Sequence, residues 1–175
     1  MSALKAAAAF SLLFTLALGT LFDMPPVFHN GSVTVETLSV AGNLDGPKMS
    51  TAANKTSFDF WYWDAFSLTD KQALNAVFFN TGDLPNPSPL AVQVSGTFSN
   101  GTQFFGQVFA TEGAVINNGP DGISGDWRGS GTKFTGTALD KPNVEYVATF
   151  NSPEIGLAGT VTLKSVSYPF RPVYR

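Results

Sequence analysis

The chain has 175 residues, 43% of them hydrophobic and 13% charged, which suits a single globular domain and excludes a disordered segment. A formal charge of −3, with no cluster of Lys and Arg, excludes nucleic acid as a partner, because phosphate binding needs concentrated positive charge. The lack of cysteine excludes disulfides and thiolate chemistry, and the single histidine, His29, removes most metal centres and catalytic triads.

The first residues read as a secretory leader. Lys5 supplies the positive start, Ala6 to Leu18 is a 13-residue apolar run, and Ala17-Leu18-Gly19 has the small residues of a cleavage site. The run is shorter than the roughly 20 residues a membrane span requires, so no stable anchor is expected once residues 1–19 are removed. Three sequons agree with passage through the secretory pathway: Asn30-Gly-Ser32, Asn54-Lys-Thr56 and Asn100-Gly-Thr102. The expectation is a secreted, N-glycosylated eukaryotic protein.

Residues 20–56 read as an N-terminal extension with a short strand. Met24-Pro25-Pro26 is extended, since proline blocks helix there. Val33, Val35, Leu38 and Val40 form a weak apolar run, and Asn43 to Lys55 has loop composition. His29, beside the first sequon, is expected to be exposed and idle.

Ser57 to Asp64 (SFDFWYWD) then packs five aromatics and two carboxylates into eight residues. In a strand, Phe58, Phe60, Tyr62 and Asp64 face one way and Asp59, Trp61 and Trp63 the other. A strand with one wet face would not carry rings on both sides. Two readings fit: a strand buried between layers, or an aromatic wall for a ligand with an Asp at its rim.

The remaining chain alternates strands and turns. Ser67 to Gln72 is a polar turn, followed by a strand from Ala73 to Thr81 whose polar members are Asn75 and Asn80. Gly82 to Pro89 holds three prolines and cannot be a central strand. Leu90 to Phe98 and Thr102 to Ala110 flank Ser99-Asn100-Gly101, a hairpin signal with a sequon at its tip. Gly113 to Gly125 reads as bends. Ile123 to Arg128 (with Trp127), Gly131 to Leu139, Val144 to Phe150 and Ile155 to Val166 complete the series. No stretch has a helical apolar period. The fold class is all-β, an antiparallel meander forming a lipocalin-like barrel or a strongly curved sandwich. A closed barrel of about eight strands would hold one small ligand, with Asn80, Gln93, Gln107 and Asp64 available to orient it.

Phe58-Asp59-Phe60-Trp61-Tyr62-Trp63-Asp64, followed by a polar turn and Val77-Phe78-Phe79-Asn80, resembles the start of the fungal Diels-Alderase family. That family is related in architecture to the hydroxyneurosporene synthase (carotenoid hydratase) family. Its signature is an aromatic, an acidic residue, one spacer and then Trp-Tyr-Phe-Asp. Here Asp59 stands where Glu is common and Trp63 where Phe is usual. The strand with Trp127 and the closing Leu163-Lys164-Ser165-Val166 extend the resemblance over residues 50–170.

The resemblance implies a lipocalin-like domain over 57–168, the N-terminal half of a two-domain architecture, with 169–175 beginning a linker. It implies a cofactor-free cyclase that folds an apolar polyene or quinone-methide-like substrate for a [4+2] cycloaddition. Carried over, Phe58, Phe60, Trp61, Asn80 and Trp127 bind substrate, and Tyr62 and Asp64 are the catalytic candidates. The pocket would be completed by a second β domain or a partner chain. Two alternatives stand beside this reading. One is a non-catalytic carrier of a lipophilic metabolite. The other is a hydratase or isomerase that protonates its substrate with a desolvated carboxylic acid, for which Asp59 and Asp64 are the only candidates in the aromatic stretch.

Overall fold

The computed structural model describes residues 19–36 and 44–166. The apolar leader before Gly19, Leu38 and Val40, and the expected linker at 169–175 lie outside those residues.

Among the described residues, ten strands form two antiparallel sheets. One runs in the order β1 (Thr20–Met24), β6 (Ala114–Gly119), β7 (Gly122–Trp127), β8 (Thr132–Thr137), β9 (Glu145–Ser152) and β10 (Leu157–Lys164). The other holds β2 (Phe58–Phe66), β3 (Ala73–Thr81), β4 (Leu90–Thr97) and β5 (Gln103–Phe109) in sequence order. A short 3-10 turn at Pro153–Ile155 leads into β10. The sheets keep separate edges, so the sandwich form of the expected fold is the one adopted and the closed barrel is not.

Turn chemistry sets the registers. At the β4–β5 tip the Asn100 side chain accepts the Thr102 N–H at 2.9 Å, while Gly101 adopts a φ of 86°. At the β2–β3 turn, Ser67 Oγ accepts the N–H groups of Thr69 and Asp70. The bends expected over Gly113 to Gly125 are instead a hairpin, β6 and β7 joined through Pro120-Asp121. Gly122 sits there at a φ of 137°, and a Cβ on it would meet the Gly136 carbonyl oxygen at 2.0 Å. β6 reads poorly because Asn117, Asn118 and Gly119 dilute the apolar pair Val115-Ile116. Within the N-terminal stretch, Thr20–Met24 forms β1, the edge strand beside β6.

The space between the sheets is filled. Trp63 meets Phe78 and Phe134 at ring-centroid distances of 4.9 Å, Trp127 meets Phe78 at 5.1 Å, and Trp61 meets Trp127 at 5.6 Å. Their mostly tilted or edge-on geometries suit the ring quadrupoles. Gly125 makes room for the cluster, since a Cβ there would lie 2.4 Å from the Phe134 ring. A hollow interior for a guest molecule is therefore replaced by a close-packed aromatic core.

Candidate functional site

β2 is an edge strand with two different faces. Inward, Trp61 and Trp63 enter the core. Outward, Phe58, Phe60 and Tyr62 remain 54%, 46% and 56% exposed, and Phe66 is 74% exposed. The Phe58 and Phe60 rings stack at 5.9 Å with an interplanar angle of 21°, and Phe60 also leans on Phe79 across the strand pair at 6.3 Å.

Beside this start of β2 lies a groove of about 500 Å³, within the range of small-molecule sites. Its far side is a small ladder in which Val35 bridges Met49 and the Glu36 N–H donates to the Lys48 carbonyl at 2.8 Å. Phe58, Asp59 and Phe60 line the near side, with Val33, Glu36 and Lys48 among the residues opposite. A second cleft of about 490 Å³ separates the ends of the β2–β3 and β4–β5 hairpins, and its lining, which includes Phe66, Leu74, Phe98 and Phe104, holds no titratable side chain. The first groove is the one that combines apolar walls with ionisable groups.

The segment from Leu44 to Ser57 forms a strap whose attachments fix the groove. Asp45 offers its carbonyl oxygen to the Trp61 indole N–H at 2.8 Å, and its carboxylate accepts the Tyr146 hydroxyl. Burial, and then the adjacent Asp45 carboxylate, pushes the Tyr146 phenol well above its ordinary range. Further along, Asn80 Oδ1 accepts the Ala53 N–H at 2.7 Å while its Nδ2 donates to the Thr51 carbonyl at 2.9 Å. Asp59 Oδ2 accepts the N–H of Lys48 at 2.6 Å and of Met49 at 3.3 Å. Burial raises the Asp59 pKa, and this outweighs the opposing pull of those N–H groups and of the Lys48 charge.

The structure brings only part of the predicted site together. Phe58 and Phe60 line the groove. Trp61, Asn80 and Trp127 do not: Trp61 is in the core, Asn80 ties down the strap, and Trp127 is fully buried with its indole N–H donating to the Phe79 carbonyl at 2.9 Å. Tyr62 and Asp64 lie farther along β2, and the Asp64 carboxylate accepts Asn75 Nδ2 at 2.9 Å. Gln93 faces Gln107 on the outer side of β4 and β5, and Gln107 donates to Asn86 at 3.2 Å. Of the sequons, Asn30 and Asn100 are exposed, while Asn54 is half-buried and its Nδ2 donates to the Gly31 carbonyl at 2.9 Å. His29 is exposed, its N–H donating to the Ala53 carbonyl at 2.9 Å. Sequence reasoning missed Val33, Glu36 and Lys48 as groove residues. Only the Val33–Val35 alternation hinted at a strand there.

Comparison with known proteins agrees with this strand-borne signature. The family described as Diels-Alderase-like matches residues 27–174. The quinolone epoxide rearrangement protein asqO of Emericella nidulans is 44% identical over 149 residues, covering 82% of this chain and 40% of that protein. The quinolone epoxide rearrangement protein penF of Penicillium thymicola is 43% identical over 152 residues, covering 83% of this chain and 42% of that protein. The chain thus spans about two fifths of the length of the curated relatives it matches. It belongs to the Diels-Alderase-like family.

Proposed function

We propose that the chain supplies the aromatic wall of a site in which a flat, apolar secondary metabolite is held and rearranged. The quinolone epoxides for which its relatives are named are the substrate class that best suits it. The observation that carries the reading is the stacked Phe58–Phe60 pair at a groove that also contains the half-buried carboxyl of Asp59. Planar rings stack on exposed phenyl faces, and an ionisable group at the same edge gives orientation. A rearrangement within one molecule depends chiefly on the bound conformer, because no second reactant has to be gathered.

The finer reading, a cofactor-free [4+2] cycloaddition of a polyene, would use the same wall, and so would a carrier without turnover. One experiment separates the three. The whole chain is incubated with a quinolone bearing an aryl epoxide and, separately, with a linear polyene. Products are followed by chromatography and mass, and binding by equilibrium dialysis. An isomer of unchanged mass from the epoxide, with conversion reduced about 10-fold or more by Phe58→Ala combined with Phe60→Ala, supports rearrangement at this groove; a loss of about 1.4 kcal/mol corresponds to that factor. A cycloadduct from the polyene alone favours cycloaddition. Binding that the double substitution weakens, without any product, favours the carrier.

A further inference from the structure

A phenylalanine stands two places before the asparagine of a sequon in Phe28-His29-Asn30-Gly31-Ser32 and again in Phe98-Ser99-Asn100-Gly101-Thr102. The fold treats the two differently. Residues 28–32 are bends and loop outside any strand, and the Phe28 ring carries the Lys55 ammonium 3.3 Å from its centroid. The remaining sequon has Ala52 at that place, and its Asn54 amide is used inside the strap. There Oδ1 accepts the Thr56 N–H at 3.0 Å and the Thr56 hydroxyl at 3.1 Å, while Nδ2 donates to the Gly31 carbonyl at 2.9 Å.

Residues 98–102, in contrast, close the β4–β5 hairpin. The Phe98 N–H donates to the Thr102 carbonyl and the Gly101 N–H to the Phe98 carbonyl, each at 2.8 Å. Gly101, at a φ of 86°, is the left-handed residue that completes a three-residue loop. Phe98 and Thr102 stand opposite each other, continuing the Thr97–Gln103 register, so their side chains rise from one face of the hairpin. Asn100 lies between them at the apex, exposed, with Oδ1 on the Thr102 N–H. The Phe98 ring is 54% exposed yet rests on Phe104, ring centroids 4.9 Å apart. Phe104 in turn fills the space over Gly96, where a Cβ would meet its ring at 2.6 Å. The ring beside the asparagine is thus held from below and open above.

We propose that Asn100 carries an N-linked glycan whose first N-acetylglucosamine lies against the open face of Phe98, beside Thr102. A β-linked N-acetylglucosamine gathers its axial C–H groups on one face, and their slight positive charge suits the negative face of a phenyl ring. The loop holds ring, amide and threonine together before the sugar arrives, so little ordering is left to oppose the contact. The donor is an oligosaccharide on a polyprenyl diphosphate. The Asn100 Nδ2 forms a bond to the anomeric carbon and loses one proton to a base, and the bond from that carbon to the diphosphate breaks. The diphosphate leaves with the electron pair, and nothing is oxidised or reduced. Transfer requires entry into the secretory pathway, for which residues 1–19 have the composition of a leader. The site is independent of the groove. Phe66 of β2 and Thr97 of β4 both pair with Ala73, which puts the tip at the opposite end of the four-stranded sheet from Phe58.

The test expresses the full chain, from its own first residue, in a fungal secretory host. Mass is read on the denatured protein, so this arm does not depend on how a variant folds. Asn100→Gln is expected to lose the mass of one glycan. A parent without any glycan, or an Asn100→Gln protein of undiminished glycan mass, overturns the proposal. The second arm compares the parent with Phe98→Ala, each trimmed by an endoglycosidase to single N-acetylglucosamine residues and each with and without Asn100→Gln. Loss of the Asn100 cap on Thr102 is common to both backgrounds and cancels. Asn100→Gln is expected to lower the melting temperature of the parent by about 2–4 °C more than that of Phe98→Ala, the order of one ring contact in a chain of this size. Equal shifts in the two backgrounds overturn the seat on Phe98. Neither arm reads quinolone conversion, so failure here leaves the rearrangement reading untouched.

Discussion

The two faces of β2 carry the same kinds of side chain and meet opposite fates. Trp61 and Trp63 point inward and sit within 6 Å of other core rings, with the Trp61 indole nitrogen bonded to the strap. Phe58, Phe60 and Tyr62, one residue out of phase, leave about half of their surface in water. Burial of apolar area is what stabilises, at roughly 25 cal/mol per Å² removed from water, so the inner rings hold the sandwich and the outer rings contribute little to it. Two kinds of residue usually lumped together as hydrophobic thus divide, along one strand, into those that make the core and those left on the wet face, which the proposed function assigns to a ligand.

The largest effect expected from breaking this contrast is on the inner side. Trp127→Ala removes a fully buried ring that touches Trp61, Phe78 and Phe134 and donates to Phe79. Denaturant unfolding should show a loss of about 3–5 kcal/mol, the range for large aromatics cut to alanine in a core. Asn80→Ala comes next. It leaves the Ala53 N–H and the Thr51 carbonyl without their side-chain partner, at a cost of about 1–3 kcal/mol by the same measurement. Proteolysis should then cut first in the strap between Leu44 and Ser57, because that side chain pins it to β3.

Asp59 sharpens the contrast through pH. Its folded-state pKa is raised, so the folded protein holds the proton more tightly than the unfolded chain does. The contribution is fully present below the unfolded value of about 4 and is lost as pH rises through the folded value. Asp59→Asn should therefore flatten that descending part of the melting-temperature profile and leave the variant relatively more stable at neutral pH. A variant profile that keeps the parent's slope across that window would assign the slope to other carboxylates.

Much of the fold was legible in the sequence, for reasons that also explain what was not. Alternation identified both faces of β2, the prolines at 85, 87 and 89 marked the β3–β4 connection, and Asn100-Gly101 marked a hairpin tip, because each is a local constraint on the backbone. Closure was different. Whether ten strands curl into one barrel or split into two sheets depends on long-range pairing, and a closed meander and a sandwich share the same local pattern. The site followed the same divide. Phe58 and Phe60 were readable from alternation, whereas Lys48, Glu36 and Val33 join the groove only because the strap folds back onto β2. Trp61, Asn80 and Trp127 were expected at a ligand from the family resemblance; in the filled sandwich Trp61 and Trp127 pack the core and Asn80 tethers the strap.

The smallest expected effect on stability is the most informative about purpose. Phe60→Ala removes a ring already 46% exposed, whose contacts are Phe58 and Phe79. An exposed cross-strand aromatic pair contributes roughly 0.2–1 kcal/mol, so the melt should shift by a few degrees at most. Phe66→Ala, on the same face but more exposed and outside the groove, should change stability even less. Binding of an aromatic probe should separate the two: Phe60→Ala is expected to weaken it several-fold, and Phe66→Ala to leave it unchanged. Equal losses of affinity would mean that the whole outer face of β2 binds non-selectively, as a greasy surface does. A loss confined to Phe60 and Phe58 would tie recognition to the end of the strand where Asp59 lies, since there rings and an ionisable group line one groove.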